Sequence, residues 1–137
     1  MILKGRTIKK GKIEGEAIVS ELPFSFLGDL NVFTGQVMGS GHDLEGQSIA
    51  NKIFVFPTGK GSTAAADWAY MGKKRGNAPI GMICQEVEPT LAMVAITHDI
   101  PMVDELDQDP LKVIHTGDQI KIDATEGIVE IIKKGES

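Results

Sequence analysis

The residues of this chain best suited to chemistry are Gly59-Lys60-Gly61-Ser62-Thr63. They follow the apolar run Phe54-Val55-Phe56 and the turn residues Pro57-Thr58, and they open onto an Ala-rich stretch with helical spacing. A serine therefore falls where a buried strand passes through a glycine loop into a helix. The first turn of a helix leaves backbone N–H groups unpaired and carries the positive end of the dipole, so such a junction attracts carboxylate or phosphate. The same donors would favour the ionised form of a serine hydroxyl, which is a poor base in water. Two roles stay open for Ser62 on these grounds, an N-cap or a catalytic base. Lys60, Gly61 and Thr63 share the junction and are the candidate substrate-binding residues.

Other chemistries fit less well. A phosphate-binding loop of the G-x-x-x-x-G-K-[ST] kind needs its lysine after the second glycine, whereas Lys60 precedes Gly61, so nucleotide hydrolysis is not supported. A G-x-S-x-G elbow is absent. His42 stands beside Asp43 and Glu45 in a glycine-flanked loop, but metal sites need three or more converging ligands, and a surface or interface histidine is the plainer reading. His98 and His115 lie near element ends and read as structural. With one cysteine, Cys84, the chain can form no internal disulfide and cannot hold an iron-sulfur cluster, and Cys84 sits in an apolar run that reads as buried. No metal site is expected on this chain.

The elements that must position these residues are strand-rich at first. Met1 to Ile8, Lys12 to Ser20, Asn31 to Met38 and Lys52 to Phe56 read as short strands punctuated by glycine. Ser62 to Arg75 reads as a helix, with Ser62 or Thr63 as N-cap, Gly76 as its stop, and Lys73, Lys74 and Arg75 complementing the negative end of its dipole. Ala78 to Cys84 reads as a buried strand, Pro89 to Thr97 as a second helix with proline in its first turn, and Pro101 to Val103 as another strand. An acidic loop from Asp104 to Pro110 is either solvated or a docking surface for a basic partner. Two alternating strands, Gln119 to Asp123 and Ile128 to Ile132, close the chain. Strands, a β-α-β-α-β segment and a final hairpin make a mixed α/β domain, expected to be a single one over residues 1–137.

A formal net charge of -5 argues against a nucleic-acid surface, since phosphate binding relies on clustered Lys and Arg. No apolar stretch approaches the roughly 20 residues that span a bilayer, and the start MILKGRTIKKG lacks the apolar centre of a signal peptide, so a cytoplasmic location is expected.

Several of these segments together resemble the small subunits of archaeal phosphomevalonate dehydratases, in the aconitase X branch of the aconitase superfamily. The resemblance runs through Leu3-Lys4-Gly5-Arg6, Gly15-Glu16-Ala17, Phe26-Leu27-Gly28, Gly41-His42-Asp43-Leu44-Glu45-Gly46, Gly59-Lys60-Gly61-Ser62-Thr63, Ile100-Pro101-Met102-Val103 and Thr116-Gly117-Asp118, and covers nearly the whole chain. It implies a swivelling β/β/α domain like the mobile fourth domain of aconitase. It also implies a heterodimer with a large subunit that carries an iron-sulfur cluster, and dehydration of (R)-5-phosphomevalonate. In the family the serine of the G-K-G-S-T segment is the proton acceptor, here Ser62. Whether Lys60, Arg75 or His42 touches substrate or only the partner stays open. A hydroxyproline dehydratase subunit, a phosphohistidine-type swivel carrier and a non-catalytic regulatory subunit are the competing readings, and the carrier would need histidine where this chain has Ser62.

Overall fold

Four apolar residues in a row, Ile53–Phe56, cannot alternate between a wet and a dry face, so the strand they form must be covered on both sides. The computed structural model, which describes residues 1–38, 41–60 and 65–135, shows how. In chain order the strands are β1 (Ile2–Lys4), β2 (Arg6–Lys9), β3 (Lys12–Val19), β4 (Ile53–Phe56), β5 (Gly81–Cys84), β6 (Met102–Asp104), β7 (Gln119–Asp123) and β8 (Ile128–Lys133). The helices are α1 (Phe26–Asp29), α2 (Ala65–Lys74), α3 (Pro89–Thr97) and α4 (Pro110–Val113).

The sheet order is β1-β8-β7-β3-β4-β5-β6-β2. β3, β4, β5 and β6 run parallel, and β7 and β8 form the closing hairpin. β3 is shared: Lys12 to Glu16 pair with β7, and Ala17 to Val19 pair with β4. The Thr116-Gly117-Asp118 turn pins that changeover, for Ala17 N–H donates to the Asp118 carbonyl, Gly117 N–H to the Ala17 carbonyl and Val19 N–H to the Thr116 hydroxyl. The two outermost strands, β1 and β2, are one stretch of chain interrupted at Gly5, so the sheet closes on itself. Gly5 has to be glycine, because a Cβ there would lie 2.4 Å from the Asp104 carbonyl oxygen.

Side-chain alternation divides the apolar residues into two cores. Phe54, Phe56, Met82, Cys84 and Met102 face α3 and the 24–49 segment, with Phe24, Leu30, Ile49, Leu91 and Val94. Ile53, Val55, Ile83 and Val103 face the other way, into a core with Leu3, Ile120, Ile122 and Val129. Four of the five phenylalanines meet edge to face or stacked, with Phe24 between 4.9 and 6.1 Å from Phe26, Phe54 and Phe56.

Most expected elements are present, with three corrections. Asn31 to Met38 is not a strand: Thr34 and Gly35 N–H groups turn back onto the Asn31 carbonyl, and only isolated bridges follow at Gln36 and Val37. The short helices α1 and α4 fall where no helix was expected. The acidic stretch from Asp104 is not uniformly solvated, because Asp104 is fully buried at the end of β6. Its carboxylate accepts two bonds from the Arg6 guanidinium, at 2.9 and 2.8 Å, and one from Val87 N–H. That fork holds the Arg6 guanidinium above its ordinary pKa, chiefly through the hydrogen bond to Asp104.

Candidate active site

Loops at the carboxyl ends of parallel strands are the natural place for a ligand, in closed barrels as in open sheets. Here those ends are Ser20 after β3, the 57–60 loop after β4, and Gln85 to Glu88 after β5. Of the expected site residues, Ser62, Gly61 and Thr63 lie outside the described residues, as does the proposed N-cap; Lys60 is described, and so is the frame around it.

The 57–60 loop is zipped onto the segment after β3. Phe24 N–H donates to the Thr58 carbonyl at 3.1 Å, Lys60 N–H donates to the Phe24 carbonyl at 3.2 Å, and Phe24 and Gly59 form a parallel bridge. Lys60 is tethered at its other end too. Its ammonium lies 2.8 Å from the Asp29 carboxylate, which is buried and also accepts the Ser25 N–H. Lys60 is about half exposed, so its charge still faces outward beside the loop.

Gly59 is there for space. A Cβ at that position would meet Glu88 Oε1 at 2.6 Å and Leu91 Cβ at 3.1 Å. Glu88 is the N-cap of α3: its carboxylate accepts Thr90 N–H at 2.9 Å and Leu91 N–H at 2.6 Å, and Pro89 fills the first helical position. The amino end of α3 is thus neutralised by its own chain. A cleft of about 410 Å³, lined by Pro57, Thr58, Gln85, Glu86, Val87, Glu88 and Pro89, lies between the two loops.

His42 corrects an expectation. Its side chain is only 5% exposed, so it is not a surface histidine, and among the described residues it joins no group of three that could hold a metal ion. Phe24 accounts for the burial, since the imidazole packs edge to face on that ring at 6.0 Å. Leu44 N–H donates to Nδ1 at 3.1 Å, and Nε2, wholly buried, has no hydrogen-bond partner among the described residues. The neighbouring Asp43 carboxylate lies 3.0 Å from Nδ1 and accepts the Ser20 hydroxyl at 2.7 Å and Glu21 N–H at 2.8 Å, which fixes the histidine loop to the end of β3.

The remaining candidates fall elsewhere. Arg75 is at the far end of α2, with its guanidinium 4.7 Å from the centre of the Phe33 ring, and the structure does not bring it to the carboxyl ends of the strands. His98 caps the end of α3, and its carbonyl accepts the Lys73 ammonium; His115 Nδ1 lies 3.2 Å from the Lys134 ammonium. Cys84 is fully buried in β5, and burial, with Asp104 and Glu88 nearby, pushes its thiol well above the usual range. Among the described residues no group of three His, Cys, Asp or Glu side chains could hold a metal ion, so these residues do not fit an iron-sulfur cluster. No described helix is long and apolar enough to cross a membrane. Sequence reasoning missed Asp29 and Glu88. Glu88-Pro89 before an apolar run is an N-cap signature, whereas nothing local marked Asp29 as the partner of Lys60.

A closed α/β sheet with a glycine loop at the carboxyl end of its central strand is the architecture of a swivel domain, and residues 2–131 match the family model described as the aconitase X swivel domain. The chain belongs to that family. It is 50% identical over 136 residues to the phosphomevalonate dehydratase small subunit of Thermococcus kodakarensis, covering 99% of this chain and 100% of that one. It is 45% identical over 131 residues to the protein of the same name from Methanosarcina acetivorans, covering 96% and 91%. The crystal structure of Thermococcus kodakaraensis aconitase X in its holo-form superposes with a TM-score of 0.91 at 47% identity, over 97% of this chain and 99% of that one.

Proposed function

We propose that this chain is the small subunit of a phosphomevalonate dehydratase. With a large subunit that carries an iron-sulfur cluster, it removes water from (R)-5-phosphomevalonate to give trans-anhydromevalonate 5-phosphate. The observation that carries this reading is the near end-to-end identity of 45 to 50% with relatives of that name, joined to the family match. On this reading the cluster is carried by the partner, and among the described residues of this chain no group of three His, Cys, Asp or Glu side chains could hold a metal ion. What this chain contributes is a base and an anion-binding loop. Ser62 is the proton acceptor, taking the proton next to the substrate carboxylate, and Gly61, Thr63 and Lys60 bind the anionic substrate. The described frame supports that assignment: Phe24 and Asp29 bond to the loop as far as Lys60, and α2 runs from Ala65. Closure of a swivelling domain over the substrate would exclude water and complete the catalytic set only when substrate is bound.

The test is co-expression with the large subunit from the same source, followed by an assay of phosphomevalonate and hydroxyproline as separate substrates. Phosphomevalonate should turn over, and Ser62→Ala should cost about 10²- to 10⁴-fold in kcat with the heterodimer intact. Turnover of hydroxyproline alone would eliminate the substrate assigned here, and full activity of the alanine variant would make this a regulatory subunit.

A further inference from the structure

Lys60 is bound to the 24–29 segment at both ends. Its N–H donates to the Phe24 carbonyl at 3.2 Å, and its ammonium lies 2.8 Å from Asp29 Oδ2, the oxygen that also accepts Ser25 N–H at 2.9 Å. That segment is itself fixed. Phe24, Phe26 and Leu30 are buried in the core, and Leu30 packs on α2, where a Cβ at Gly72 would come within 3.0 Å of Leu30 Cδ2. One short stretch thus supports both the loop that enters the G-K-G-S-T segment and the helix that follows it. The fold alone does not ask for a charge at Asp29. An asparagine oxygen would accept Ser25 N–H equally, an ion pair with a half-exposed lysine adds little stability, and a carboxylate only 10% exposed loses hydration. What the charge supplies is a fixed place for the Lys60 ammonium beyond the carboxyl end of β4. An ammonium has three hydrogens, so a carboxylate on one side leaves donors for a second anion, and half exposure leaves them within its reach.

We propose that Asp29 is a positioning residue of this site, holding the Lys60 ammonium where it meets an anionic oxygen, carboxylate or phosphate, of the substrate. This rests on the dehydratase reading above and extends it to a residue outside the G-K-G-S-T segment that acts on the substrate only through Lys60. A free lysine would have to be ordered as the substrate binds, whereas a tethered one is ordered beforehand.

A double-mutant cycle tests whether Asp29 acts through Lys60. In the reconstituted heterodimer Asp29→Asn, which keeps an acceptor for Ser25 N–H, should raise KM about 3- to 10-fold with kcat within about twofold. In a Lys60→Met background the same substitution should change KM by less than about 1.5-fold, since no ammonium is left to hold. A merely structural role lowers the folded fraction or kcat by the same factor in both backgrounds, and overturns the proposal. An unchanged KM in Asp29→Asn, or a lower one because the carboxylate only weakened the pull of Lys60 on the substrate, overturns it as well. Lys60→Met strands the Asp29 charge, so a second measurement covers the case in which that variant does not assemble. In the heterodimer, ¹³Cε relaxation of Lys60 should show a restrained side chain in wild type and a mobile one in Asp29→Asn. Its resonance should move as inorganic phosphate or acetate is added, at lower concentration in wild type than in the variant, and the more effective anion distinguishes phosphate from carboxylate. Equal mobility in the two proteins, or no movement with either anion, refutes the inference whatever the turnover. A wild-type heterodimer inactive on both phosphomevalonate and hydroxyproline would count against the dehydratase reading, while the relaxation and anion experiments would still decide this one.

Discussion

Replacing Gly59 with alanine tests the packing beneath the candidate loop. The added methyl would sit 2.6 Å from Glu88 Oε1, roughly 0.9 Å inside an ordinary contact, and 3.1 Å from Leu91 Cβ. The Glu88 carboxylate can retreat only by giving up its bonds to Thr90 N–H and Leu91 N–H, so the cap of α3 is lost at about 1 kcal/mol. Leu91 Cβ moves only with the helix, which adds about 1 kcal/mol or more of overpacking, and the stiffer unfolded chain returns about 0.5 kcal/mol. A net loss of about 1.5 kcal/mol or more is expected in urea denaturation of the full chain. The cause is identified by repeating the substitution in a Glu88→Ser background, where a shorter side chain still caps α3 but leaves room for the methyl. There Gly59→Ala should cost about 1 kcal/mol less, a coupling of the size seen between touching residues. Equal costs in the two backgrounds, within about 0.3 kcal/mol, would refute the steric argument.

Further outcomes follow from the same geometry. Arg6→Met strands a fully buried carboxylate at Asp104, whereas Lys9→Met removes only a 3.5 Å pair with an exposed Asp99, so the urea midpoint should fall clearly in the first variant and hardly in the second. Burial works against ionisation of Asp118, but hydrogen bonds from Lys134, Gly135 N–H and His115 N–H outweigh it and hold the carboxyl below the usual range. A lowered folded pKa gives stability that is present above the ordinary carboxylate pKa and lost as pH falls through the folded one; the stability gap between wild type and Asp118→Asn should therefore be wide at pH 7 and narrow progressively below pH 4. The Cys84 thiol, buried and raised, should react with a thiol reagent at pH 8 only at the rate of unfolding, and a fast phase in native buffer would contradict its placement.

How much of this was legible in the sequence depends on how local the signal is. The β-α-β-α-β core reads directly, because Ile53–Phe56 and Gly81–Cys84 are continuous apolar runs and Gly76 ends α2 with a positive φ. Asn31 to Met38 misled because the strand-favouring Val32, Phe33 and Val37 mimic a strand in composition, and the turn that overrides it is set by Asn31 and Gly35. The burial of His42 was not readable, since the ring that covers it, Phe24, lies 18 residues earlier. The Lys60 tether to Asp29 and the Arg6 fork on Asp104 are likewise contacts made by tertiary folding, with no spacing rule to announce them. The G-K-G-S-T segment stood out because glycine spacing and a following helix are local.

The meeting of the first and last strands at Gly5 has a bearing on how the molecule is made. Residues 2–4 are made long before residues 128–130, their ladder partners among the described residues, so β1 must wait while the intervening chain is synthesised. Until the β7–β8 hairpin arrives, the seam between β1 and β8 stays open and its backbone groups are available to any passing strand, a window in which the chain is exposed to misassembly.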